Sequence, residues 1–167
     1  LEVDPANRTA YEHALKHYST VNDWRGYAQA MDRYLPNLVT EEEKINALRE
    51  LSKVQETKLG QKDVAFLKMC QVVQLTPADD GAREEVERLA TETGSYEELA
   101  AVYEEIADNQ PRGPLAERLY LVLAKVQEQR LDDIDAAESA LRKVLEFDPT
   151  TEQALDAMAA MFSRRGR

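Results

Sequence analysis

His13 and His17 lie four residues apart in the segment YEHALKHY. On a helix that spacing puts both imidazoles on one face, which is a metal-ligand arrangement. Glu12 precedes the pair, but no third His or Cys is nearby, and His17 aligns internally with Leu89 and Met161, which marks a packing position. No metal and no cofactor are therefore expected. Cys70 is the sole cysteine; it forbids an internal disulfide and has no histidine partner in the sequence to activate it. It aligns with Arg142 and so is expected at the surface. Asp and Glu total 32, yet they fall on amphipathic segments as solvated faces, and nothing pairs two of them in a pocket. The six glycines are scattered among turns, so there is no phosphate-binding loop. Trp24 aligns with Tyr96, and the pair reads as interhelical packing rather than a ligand platform. No catalytic residue is assigned, and the chain is not expected to be an enzyme.

The elements that carry these residues are helices. The chain has 167 residues, 43% hydrophobic and 32% charged, with 7% aromatic. That length permits one domain with a worthwhile core, and the wealth of Ala, Leu and Glu favours long helices. No apolar run approaches the roughly 18 residues needed to span a bilayer. The opening LEVDPANRTA lacks the basic end and apolar run of a signal peptide. The compartment is open, with the lone cysteine slightly favouring a reducing, cytoplasmic one. A net charge of −11 argues against nucleic acid, because phosphates need a basic surface. The charge is uneven: residues 6–77 carry 10 Lys+Arg against 9 Asp+Glu, or +1, whereas 78–149 carry 8 against 19, or −11. The acidic half could meet a basic partner or simply confer solubility.

The unevenness follows an internal repeat. Pro5, Pro77 and Pro149 are spaced by 72 residues, and 6–77 overlays 78–149 without a gap at 15 identical positions. The densest match sets LSKVQETKL (51–59) over LAKVQEQRL (123–131). A third copy begins at Thr150 and reaches its glycine turn, with Gly166 matching Gly94. Both ends read as cut from a longer array, the residues through Pro5 ending an earlier unit. Each full unit reads as four helices. In the second they carry apolar stripes at Ala82, Val86, Leu89 and Ala90, then Leu99, Val102, Tyr103 and Ile106. Leu119, Tyr120, Leu123, Ala124 and Val126 mark the third helix, and Ile134, Ala137, Leu141, Val144 and Leu145 the fourth. Pro114 suits a first helical turn, and TEEE (40–43) is a capping box. A lone hairpin cannot bury its stripe, so such units stack on their neighbours. The expected fold is all-α, a single solenoid domain over 1–167 of about nine helices in antiparallel hairpins, with units 6–77, 78–149 and a partial 150–167.

The even hairpins resemble the tetratricopeptide repeat. In 117–149 the large, leucine and small positions of the first helix hold Tyr120, Leu123 and Ala124. The closing positions of the second helix hold Ala137, Leu141, Val144 and Pro149, after one extra residue in the turn. In 45–77 the same places hold Leu48, Leu51, Ser52, Ala65, Met69, Val72 and Pro77, and the C-terminal helix fits with Leu155, Met158, Ala159 and Gly166. The odd hairpins depart from the pattern, since Tyr27 and Leu99 take a small-residue position. The resemblance covers nearly the whole chain and implies a right-handed superhelix whose first helices line a concave groove for peptides or partner proteins.

By that resemblance the groove-facing residues are Glu12, His13 and Lys16; then Arg49, Lys53 and Glu56; then Glu84, Arg88 and Thr91; then Leu121, Lys125 and Glu128. Both units keep the order Lys-Val-Gln-Glu, so a repeated Lys/Glu pair could grip a peptide backbone or carboxylate. Helix-surface charge pairing and common descent of the repeats are the alternatives. The lysine–asparagine clamp that one subgroup uses for C-terminal carboxylates has no asparagine here. The expected function is a protein-interaction scaffold or adaptor. The alternatives are an end-to-end self-associating structural module and a regulatory segment of a larger enzyme.

Overall fold

The computed structural model of the chain describes residues 7–164 and 166; Pro5, read above as the end of a preceding unit, lies outside them. Among the described residues there are nine α-helices and no strand: α1 (Arg8–Thr20), α2 (Trp24–Tyr34), α3 (Glu41–Thr57), α4 (Lys62–Leu75), α5 (Asp80–Thr93), α6 (Tyr96–Asn109), α7 (Pro114–Gln129), α8 (Ile134–Phe147) and α9 (Glu152–Arg164). Four fall in the first sequence repeat, four in the second and one in the third. None is long and apolar enough to cross a membrane.

Local chemistry sets the helix ends. Asn7, Asp23 and Asp133 each accept a hydrogen bond from the backbone N–H three residues on, which satisfies one of the orphan donors of a first helical turn. Thr40 and Glu43 form the expected reciprocal capping box at α3. Pro77 and Pro149 follow one residue after the caps of α4 and α8, where a ring without an N–H cannot extend a helix. The turns repeat with the sequence. Asn22, Gly94 and Gly166 have φ of 56°, 76° and 68°, and Gly60 and Asp132 have φ of 67° and 53°. Each set is spaced by 72 residues. Where glycine is missing from this left-handed conformation its place is taken by Asn or Asp, the side chains that tolerate it best.

The helices pack in two compact units, Leu1–Thr93 and Gly94–Arg167, so the division falls inside the second sequence repeat. In the first unit each of α1 to α4 packs on the helix that follows it, as each of α6 to α8 does in the second. The core of the first unit joins Tyr27, Ala28 and Met31 of α2 to Ala47, Leu51 and Val54 of α3. It continues through Phe66, Met69 and Val72 of α4 to Val86 and Leu89 of α5, all buried. The second unit buries Leu99, Tyr103 and Ile106 of α6, Leu119 and Leu123 of α7, Leu141 and Val144 of α8, and Ala154 and Met161 of α9. Gly26 lets α1 pack close against α2, since a Cβ there would lie 2.5 Å from the Tyr18 ring.

Two positions differ from the sequence reading. Cys70, expected at the surface, is buried. Its counterpart Arg142 is solvated beside Glu138, but α4 is apolar around a wider arc. Phe66 and Val73 are buried there, where α8 has Glu138 and the partly exposed Leu145. His17, expected at a packing position, is exposed. Its counterparts Leu89 and Met161 are at most 1% exposed, but α1 buries no residue at all, so the equivalent position lacks a cover.

Candidate interaction surface

Ion pairs show which helices share a side. In the first unit Arg8 of α1 reaches Glu43 of α3 at 2.9 Å, and Arg88 of α5 reaches Glu56 of α3 at 2.8 Å. Arg49 of α3 meets Asp79, just ahead of α5, at 2.7 Å. On the other side Lys68 of α4 holds Asp32 of α2 at 2.5 Å. In the second unit Arg164 of α9 reaches Glu128 of α7 at 3.1 Å, and Lys143 of α8 lies 3.7 Å from Asp108 of α6. Apart from Lys62 of α4, which meets Glu92 of α5, these inter-helix ties run from first helix to first helix and from second helix to second helix. In each unit the first helices therefore present a common face.

Aromatic residues fix how one hairpin meets the next. Lys58 lies over the Trp24 ring at 4.9 Å, and Arg130 over the Tyr96 ring at 5.1 Å. The cations are 72 residues apart and so are the rings. Each pair clamps the end of a first helix onto the start of the preceding second helix through a cation–π contact. That is the packing role expected of Trp24 and Tyr96. The Tyr27 hydroxyl donates to Glu50, and the Tyr120 hydroxyl to Asp108.

The Lys-Val-Gln-Glu motif divides its labour alike in both units. Val54 and Val126 are buried. Gln55 and Gln127 are also buried, and the side-chain Oε1 of each has no hydrogen-bond partner among the described residues. Their backbone carbonyls close the following turns, accepting from Gln61 N–H at 2.8 Å and Asp133 N–H at 2.9 Å. Glu56 and Glu128 take an arginine from the next first helix. Lys53 and Lys125 are exposed and engage in no ion pair among the described residues. The repeated Lys/Glu pair thus separates into an anion used internally and a cation left facing solvent.

The other sequence-selected residues lie as follows. Glu12, His13 and Lys16 are exposed on α1, Glu12 pairing with Arg8 at 3.1 Å. Glu84 and Thr91 are exposed and Leu121 half-buried; the Thr91 hydroxyl donates to the Glu87 carbonyl. Among the described residues no group of three or more His, Cys, Asp or Glu side chains is placed to hold a metal.

Two crevices between first helices occupy equivalent places in the units, and they differ. Between α3 and α5, the Arg88 guanidinium spans Glu56, Glu85 at 2.7 Å and Glu92 at 2.6 Å, while Lys62 meets Glu92 at 2.6 Å. Arg88 holds the Glu85 carboxylate below the ordinary range. Lys62 first and Arg88 second do the same for Glu92. Between α7 and α9 the places of Glu85 and Arg88 are taken by Ala157 and Ala160. There a cavity of about 280 Å³ remains over an apolar floor that includes Ala124, Leu141, Ala157 and Met161. Lys125, Glu128, Gln153 and Arg164 stand at its rim. The sequence reading named Leu121, Lys125 and Glu128 here but missed the contribution of α9. The 72-residue register, which sets the two alanines under Glu85 and Arg88, was the available signal.

No protein-family model matches the chain, and no curated protein matches its sequence. The solved structures similar to it include two all-helical examples. One is described as the crystal structure of MamA protein, with 16% identity, a TM-score of 0.48, and 95% of this chain and 82% of that one covered. The other is MamA 41-end from Desulfovibrio magneticus RS-1, with 15% identity, a TM-score of 0.47, and 99% of this chain and 88% of that one covered.

Proposed function

We propose that the chain is a protein-interaction module that holds a partner protein or peptide on the faces formed by its first helices. The observation that carries this reading is the fate of the repeated motif. Its valine, glutamine and glutamate are absorbed by folding, while Lys53 and Lys125 are not. An exposed lysine on a long flexible stem gains little stability from its position. The same lysine repeated on the same face of both units offers a positive point for a partner's carboxylate or backbone carbonyl. The mixed, internally paired charges around it favour a protein partner over nucleic acid, which would need many unpaired cations.

The test is site-specific photo-crosslinking of the chain in the host cell. A reactive group is placed at 53 or 125, and in controls at 71 or 139, which are exposed on second helices. The reading expects one discrete protein adduct from 53 and 125 and none from the controls. It also expects the Lys53→Glu/Lys125→Glu double variant to bind the recovered partner about tenfold more weakly or worse, in line with the loss of charge-assisted hydrogen bonds. Full affinity in the double variant, or adducts only from the controls, would remove the first-helix face from consideration.

A second reading, self-association, has its own observation. The α1/α2 hairpin carries a cavity of about 210 Å³ lined by Tyr11, Tyr18, Tyr34 and several alanines. The Tyr11 and Tyr34 rings stack there at 4.0 Å, and apolar surface of this kind favours burial against a neighbour. A sedimentation coefficient that rises with concentration supports this reading, and one that stays constant rejects it.

A further inference from the structure

From the α7/α9 crevice we infer a more specific ligand, resting on the reading that first-helix faces bind protein segments. The crevice accepts one aliphatic side chain of leucine size (Leu, Ile or Met) of an extended peptide that carries an acidic residue one or two positions away. Three observations lead there. The first is size: a cavity of about 280 Å³ lies at or below the lower limit for a drug-sized ligand and suits a single side chain and its backbone. The second is lining. Leu141 and Met161 are at most 3% exposed, and the half-buried Leu121 and Ala157 complete the apolar lining. Such a floor rewards aliphatic surface and penalises a polar group that would find no partner there. The third is charge at the rim. Arg164 is neutralised by Glu128 at 3.1 Å, which leaves Lys125 as the rim cation without an ion-pair partner among the described residues. Gln153 is exposed beside it and can donate to and accept from a peptide backbone. The occupant is therefore apolar at the floor and anionic at the Lys125 side.

The equivalent crevice of the first unit argues the same point in reverse. There the Arg88 guanidinium is engaged by Glu56, Glu85 and Glu92, whereas Ala157, which takes the place of Glu85, lines the open crevice of the second unit, so an aliphatic side chain in the first unit would meet an ion-pair network. The inference is therefore confined to the second unit.

The experiment uses the full chain and a positional-scanning array of N-acetylated, C-amidated peptides, so that side-chain carboxylates are the only anions offered. Leu, Ile or Met should be selected at one position and Asp or Glu within two residues of it. In solution, exchanging the selected aliphatic residue for Ala should weaken binding by about tenfold or more, the scale set by burying one aliphatic side chain. Ala157→Leu, which fills the crevice from a half-buried position, should do the same. Lys125→Gln should abolish the acidic preference and spare the aliphatic one. Independently of any substitution, the Met161, Leu141 and Leu121 methyl resonances of the unmodified chain should shift when the selected peptide is added. An array without aliphatic selection, or a selected peptide that leaves those methyl resonances unmoved, overturns the pocket. In that case crosslinks from position 125 would still stand for the broader reading. Absence of first-helix crosslinks would instead fell both.

Discussion

The α3–α5 layer of the first unit and the α7–α9 layer of the second are built from the same parts. Each has a buried leucine at Leu51 or Leu123 and a first-helix glutamate bound to the following first helix. In each a left-handed residue, Gly60 or Asp132, starts the return. They part company at two positions on the following helix. Glu85 and Arg88 carry ion pairs in one layer; Ala157 and Ala160 take their places in the other, where Ala157 lines an open crevice. The glutamate partner differs too, because Arg164 aligns with Glu92 rather than with Arg88. The tie is preserved while the residue that supplies it has moved by one helical turn. Packing is thus the fixed part of the repeat, and the charged lid over the crevice is the variable part.

Equal packing predicts equal cost when it is damaged. Leu51→Ala and Leu123→Ala each leave a cavity at a position no more than 1% exposed, and each should cost about 2–5 kcal/mol. Urea unfolding should return the two values within about 1 kcal/mol of each other, the scatter set by how far each site relaxes. A difference of several kcal/mol would break the equivalence of the layers. Gly26 sharpens the contrast, since its counterpart is Glu98 and only α2 depends on a missing side chain. Gly26→Ala pushes a methyl group against the Tyr18 ring and the Asp23 cap and should cost about 1–3 kcal/mol, read as a lower unfolding midpoint.

The twin glutamines predict a change of the opposite sign. Gln55 and Gln127 each bury an Oε1 without a partner among the described residues, which is a desolvation cost not recovered. Gln55→Leu and Gln127→Leu retain the volume approximately and remove that atom, so each should add about 1 kcal/mol. Calorimetric midpoints that fall in both variants would show that the amides satisfy a contact worth more than their burial costs.

Much of the fold was legible because its causes are local. A capping box, a proline after a helix and an apolar stripe act over one or two turns, and Thr40, Pro149 and Leu119 behave as their sequence neighbourhoods require. Cys70 and His17 were misplaced for one shared reason. An internal alignment carries over a helix position but not the surfaces that cover it, so Arg142 was a poor guide to Cys70, and Leu89 to His17. The surface was legible in part. The exposure of Lys53 and Lys125 follows from their register, whereas the partners of Glu56 and Glu128 do not, since they come from different turns of the next helix.

Acid should loosen the closed crevice. Glu85 and Glu92 are held below the ordinary carboxylate value of 4.5 in the folded chain. A carboxylate whose folded pKa is depressed contributes stability that is present above the unfolded value and is lost as pH falls through the folded one. The loss should therefore fall below about pH 4.5, where the unfolded chain protonates first. Its size should be modest, because both groups are substantially solvated and screened. Arg88→Met removes the guanidinium and keeps the aliphatic stem. In a carboxylate-detected NMR titration the Glu85 midpoint should rise most, since Arg88 is its main stabiliser. Glu92 should rise less, because Lys62 stays in place. A Glu85 midpoint unchanged in Arg88→Met would mean that the guanidinium does not close the crevice. The difference between the two layers would then rest on the size of Ala157 and Ala160 alone.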